Sequence, residues 1–172
     1  MQSPGDDVGN HRSFQSQVTP QTEENGIERA LARMISGRNA FIVGVAERNI
    51  GRTAYLNCRY GIPPTLPGRT AQPQIEIGIS LYRTATQAQQ RVRGTVFDYL
   101  GNGAVQSSHT IAGHHAVLLT GGTGPGYDAP LLVLAAGQRT IAVNLATRAG
   151  AAPFRARALV ALAVLTLTRT TG

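Results

Sequence analysis

Between Ile75 and Leu81 apolar and polar residues alternate strictly. Ile75, Ile77, Ile79 and Leu81 fall on one side, with Glu76, Gly78 and Ser80 on the other, which predicts a half-buried strand. The period then lengthens. Ala88, Val92, Val96 and Leu100 recur every four residues with Thr95 and Tyr99 beside them, while Gln87, Gln90, Arg91 and Asp98 lie off the stripe, as in an amphipathic helix. Thr84 and Gln87 have the spacing of a capping box. Gly101, able to turn left-handed, is expected to stop the helix.

The same reading extends to both sides of this unit. Residues 1 to 26 are polar, with few large apolar side chains, and are expected to form a disordered tail. A short helix is predicted from Ile27 to Ser36, with Ile27, Ala30, Leu31 and Met34 on one face. Strands are predicted over Ala40 to Ala46 and Thr53 to Tyr60, joined through Asn49 and Gly51 as a hairpin. Gly61 to Pro73 is rich in proline, and Arg69 is its only charge. After the helix, Ala104 to Ile111 and His114 to Thr120 are expected to pair with Ile111 opposite His114. Pro130 to Ala136 and Arg139 to Ala146 are expected to pair with Ala136 opposite Arg139, which sets Leu134 against Ile141 and Leu132 against Val143. A closing helix is predicted over Ala152 to Thr168, with Pro153 in its first turn and Phe154, Ala158, Ala161, Leu162 and Leu165 as its stripe.

These elements predict one α+β domain over residues 27 to 172. Its sheet is mostly antiparallel, the helices at 84 to 100 and 152 to 168 pack on one face, and a short N-terminal helix precedes it. No run approaches the ~20 apolar residues of a membrane-spanning helix.

Composition removes some chemistries. All sixteen basic side chains are arginine, so the lysines of a phosphate-binding Walker loop and of Schiff-base catalysis are missing. The tail holds Asp6, Asp7, Glu23 and Glu24 against Arg12, so the body is more basic than the net +7 of the whole and attracts anionic partners. The arginines are scattered and there is no tryptophan; nucleic acid is therefore the lesser expectation as a partner. Cys58 is the only cysteine, placed among apolar neighbours and read as a buried structural thiol.

Candidate chemistry is sparse. His109 and His114 are expected as diagonal neighbours on one sheet face, with a third metal ligand from Asp128 or Glu76 conceivable in space but not required by spacing. The default is two hairpin histidines, no metal site and no cofactor. Gly121 to Asp128 reads GGTGPGYD, too irregular for a dinucleotide fingerprint, and is expected to be a flexible connection in which Tyr127 and Asp128 are the residues to test. No nucleophile elbow or carboxylate pair is present, so no catalytic residue is assigned. Arg69, Tyr127 and Asp128 stand as candidate ligand- or partner-binding residues.

The arrangement resembles small actinobacterial envelope lipoproteins with a PsbP-like α/β sandwich. The resemblance covers roughly residues 27 to 170. It is carried by Cys58, Arg59 and Tyr60 closing a strand, the strand from Ile75 to Tyr82 running into the helix at Thr84, the hairpin from Ile111 to Ala116, and the final strand and helix from Thr140. It implies a non-catalytic binding or assembly module whose partner is another protein or a membrane-associated molecule. The cell envelope is the compartment it implies; a native start at Met1 would point to the cytoplasm. The alternatives are a small hydrolase or metal enzyme using His109 and His114, and an arginine-driven nucleic-acid binder.

Overall fold

Leu131 to Leu134 are four consecutive apolar residues, and a strand built from them is apolar on both faces. That property decides the architecture. The computed structural model describes residues 38–44, 50–62, 73–145 and 152–170. In chain order these form β1 (Arg38–Gly44), β2 (Arg52–Ile62), β3 (Ile75–Tyr82), α1 (Ala85–Gly101), β4 (Val105–Ile111), β5 (His114–Thr120), β6 (Leu131–Ala136), β7 (Arg139–Leu145) and α2 (Ala152–Thr170). The strands make one sheet in the order β1-β2-β3-β7-β6-β5-β4, and every neighbouring pair is antiparallel. The α+β class and the antiparallel sheet are as expected. The tail, the helix expected over 27–36 and Arg69 lie outside the described residues.

The two helices do not share a face, and here the expectation is corrected. α2 packs Ala158, Leu159, Ala163 and Leu167 onto Ile111, Ala116, Leu118, Leu132, Leu134, Ile141 and Val143. α1 packs Tyr99, Val92 and Val96 onto Val117, Leu119, Leu131 and Val133. The two sets alternate along β5 and β6, so they point to opposite sides of the sheet. With both helices on one side, four large aliphatic side chains would face water, at roughly 1.5–3 kcal/mol each. Covering both faces avoids that loss.

Register follows the predicted pattern at both hairpins. Ile111 lies opposite His114, and Ala136, Leu134 and Leu132 lie opposite Arg139, Ile141 and Val143. The β1–β2 hairpin also forms, with Phe41 beside Cys58 and Val43 beside Leu56. Cys58 is buried in the α2-side core, as read from its neighbours.

α1 starts and ends by recognisable devices. The Thr84 hydroxyl accepts from the backbone N–H of Gln87 at 3.2 Å, the first half of the expected box, whereas the Gln87 Oε1 has no hydrogen-bond partner. The helix runs through Gly101 and stops later than expected. Gly103, at φ +80°, is the left-handed residue; its N–H reaches Leu100 O and that of Ala104 reaches Tyr99 O, a Schellman closure. Leu100 is exposed while Tyr99 is buried, because a four-residue step drifts by ~40° each time on a helix of ~3.6 residues per turn. From Ala88, eleven residues realign the face and twelve do not.

Candidate functional site

Three neighbouring strands place eight side chains and Gly78 on the α1 side as a grid. β2 contributes Tyr55, Asn57 and Arg59; β3 contributes Ser80, Gly78 and Glu76; β7 contributes Thr140, Ala142 and Asn144. The register aligns them in rows: Tyr55 with Ser80 and Thr140, Asn57 with Gly78 and Ala142, Arg59 with Glu76 and Asn144. The outer rows are polar and the middle row ends in the two smallest side chains. This half of the sheet face is therefore unlike the apolar half formed by β5 and β6.

α1 crosses the junction between the halves. Tyr99, Val92 and Val96 anchor it on the apolar side, and Arg91, Val92 and Thr95 overhang the polar side. Between helix and sheet is a cleft of about 250 Å³ bordered by Arg52, Tyr55, Glu76, Ser80, Arg91 and Thr140, with Gly78 and Ala142 among its lining residues. A Cβ built on Gly78 would meet nothing closer than 3.8 Å, at the Tyr55 ring. Glycine in a central strand weakens it and often marks a close approach by a ligand; here it deepens the cleft.

The electrostatics are partly settled within the site. Asn57 Nδ2 donates to Glu76 Oε1 at 2.5 Å, and Arg59 Nε lies 3.9 Å from Glu76 Oε2. Glu76 is thus satisfied from the β2 side. The Arg52 guanidinium sits 4.7 Å from the centre of the Tyr55 ring, a cation–π distance. Burial raises the Tyr55 hydroxyl above its usual 10.0 and the charge of Glu76 adds to this, against opposing effects of Arg52, Asn57 and Arg59. Tyr55 therefore remains a neutral donor at physiological pH.

Two hydroxyls are left without partners. Ser80 and Thr140 are opposite each other across β3 and β7, only 8% and 7% exposed. Neither side chain makes a hydrogen bond among the described residues, and both line the cleft. Their hydroxyl oxygens are not among the fully buried atoms and open onto the cleft. What enters the cleft can satisfy them.

The residues singled out from sequence fall elsewhere. Tyr127 packs edge-to-face on Tyr99, 5.0 Å between ring centres, and borders a second hollow that shares Arg91 and Thr95 with the cleft. Asp128 is exposed beside it. The glycine-rich connection is held in place rather than free: Tyr99 Oη donates to Gly126 O at 3.0 Å, and Thr123 N and Oγ1 both donate to Asn102 O. His109 and His114 share the α2 side of the β4–β5 hairpin as expected, and His109 Nε2 lies 3.2 Å from Ser107 Oγ. Asp128 follows the other end of β5, a strand that spans roughly 20 Å at ~3.4 Å per residue, and Glu76 is on the opposite face. No group of three His, Cys, Asp or Glu able to hold a metal occurs among the described residues.

Sequence reading missed the cleft although its signals were present. The polar face Glu76, Gly78 and Ser80 was visible, as were Thr140 and Asn144. What was missing was the side on which α1 lies, since a polar sheet face without a helix above it is only a wet surface.

Comparison with known proteins finds no family model, no curated protein and no solved structure that matches the chain. Among the described residues, no helix is long and apolar enough to cross a membrane.

Proposed function

We propose that this domain is a non-catalytic binding module that takes a small polar ligand in the cleft between α1 and the β2–β3–β7 half of the sheet. The observation that carries this reading is the pair Ser80 and Thr140, nearly buried, facing the cleft and unpartnered. A sheet face kept only for stability would bury apolar side chains under the helix, as β5 and β6 do. The one carboxylate in the cleft is held by Asn57 and Arg59, an arrangement suited to fixing geometry rather than to moving protons. A bacterial cell-envelope setting, with a protein or membrane-associated partner, belongs to this proposal through the resemblance of arrangement alone.

Filling the cleft tests it. Ligand-observed NMR with a set of small polar molecules is expected to find binders for the wild type that Gly78→Leu no longer holds, while the variant unfolds cooperatively. Identical binding by both proteins would contradict the reading. Fractionation of the native protein tests the envelope setting, and recovery only in the cytosol would remove it.

A further inference from the structure

We infer that the ligand of this cleft is a small organic anion, its carboxylate or phosphate oxygens received by Arg91 of α1 and by the hydroxyls of Ser80 and Thr140. The inference rests on the binding reading above and adds the ligand class.

A donor and acceptor inventory of the cleft carries it. Arg52 and Arg91 can only donate, and Arg52 is already engaged, in part over the Tyr55 ring. Tyr55 stays protonated and can donate, and the carboxamide of Asn144 and the hydroxyls of Ser80 and Thr140 add further donors. The acceptor with full charge is Glu76, and Asn57 and Arg59 already engage it. The hydroxyls and the carboxamide can accept as well, but the wall holds two guanidiniums against one engaged carboxylate and so carries more positive than negative charge. A ligand with negative charge corrects that imbalance, and its oxygens accept from the guanidinium and the hydroxyls.

Arg91 is the residue that distinguishes this site from a general basic surface. It lies on the exposed side of the α1 stripe, and no acidic side chain pairs with it among the described residues. Yet it borders the cleft and two adjoining hollows, one with Asp98, Tyr99 and Tyr127, the other with Tyr82, Gln87 and Gln90. Asp98 is the one acid facing that region from the helix, and it lies in the neighbouring hollow rather than in the cleft. A guanidinium at the lip of a cleft, above unpartnered hydroxyls, suits bidentate recognition of a carboxylate or phosphate.

The test uses four probes of matched size or simple charge: glutarate, its neutral diamide, cadaverine and inorganic phosphate, each titrated into the whole chain while backbone amide resonances are followed. Glutarate or phosphate is expected to shift Gly78, Ser80, Thr140 and Ala142 saturably, glutarate marking a carboxylate site and phosphate a phosphate site. Arg91→Gln is expected to weaken that binding at least ~tenfold, as loss of a charge-assisted contact implies, and Arg91→Lys to restore part of it. Because Arg91 is solvent-exposed, these variants should fold as the wild type does. Binding of the diamide or cadaverine in place of the anions would overturn the anion assignment and leave the binding reading standing. Unchanged affinity in Arg91→Gln would overturn it as well. Silence of all four probes at the cleft would overturn both.

Discussion

Gly78 and Ala142 face each other across the β3–β7 ladder, and these two small residues lie under α1 where bulkier ones would fill the space. Their neighbours in the same columns, Ser80 and Thr140 on one side and Glu76 and Asn144 on the other, are all polar. A cleft with a small-residue floor and polar walls follows from three strands in this register.

The floor can be raised gradually. Gly78→Ala introduces a methyl group at ordinary contact distance from Tyr55 and Ala142, and relieves a glycine in a strand. It is expected to stabilise the domain by about 0.5–1 kcal/mol, read from urea unfolding, with weakened ligand binding. A stabilised protein that binds unchanged would show that the ligand does not reach the floor.

The glycine-rich connection after β5 is expected to behave as a packed part of the α1 side. Tyr99→Phe removes the hydrogen bond to Gly126 O but keeps the ring contact with Tyr127, and should cost about 1 kcal/mol. Gly122→Ala should cost more, about 1–3 kcal/mol, because its Cβ would run into the carbonyl of Tyr127. Denaturant midpoints of the two variants check the order. Two neutral substitutions would mean the connection is not docked.

Placement of the helices on opposite faces has its own consequence. Leu132 is fully buried on the α2 side and Phe97, on α1, is exposed. Leu132→Ala should lose about 2–5 kcal/mol, whereas Phe97→Ala should stay within about 0.5 kcal/mol. Comparable losses would indicate that Phe97 is covered.

Alkaline pH should destabilise the domain through three tyrosines. Burial is the leading cause of the upward shift from 10.0 at Tyr55, Tyr60 and Tyr99, reinforced by Glu76 at the first, Cys58 at the second and Tyr127 with Asp128 at the third. In the unfolded chain these hydroxyls ionise near 10, so the folded state binds more protons above that pH. The stability these tyrosines contribute is therefore full below pH 10 and is lost as pH rises through the folded values. Tyrosinate absorbance and unfolding midpoints, measured across this range, should show part of the tyrosine signal ionising late and together with loss of stability. Stability that is flat above pH 10 would contradict the burial of these rings.

Much of the fold was legible because its signals are local. The strict alternation in β3, the four-residue recurrence in α1 and the opposed apolar positions of β6 and β7 each depend on one or two neighbouring segments. The placement of α1 relative to α2 depends on a longer comparison. It could have been read from the continuous apolar runs Ala116 to Leu119 and Leu131 to Leu134, which demand cover on both faces. The cleft was harder to foresee, because Glu76, Ser80 and Thr140 look like solvent-facing strand positions until a helix is placed above them. Tyr127 drew attention through its glycine-rich setting, yet its ring serves to hold that setting against Tyr99.

The central claim is that the α1-covered polar half of the sheet is a binding site. Amide correlation spectra of the wild type and of Gly78→Leu, each recorded with increasing glutarate, test it most directly. The account predicts saturable shifts at Gly78, Ser80, Thr140 and Ala142 in the wild type, with none at Ser80, Thr140 or Ala142 in the filled variant. Saturable shifts confined to another surface, or the same response at those three residues in both proteins, would contradict it.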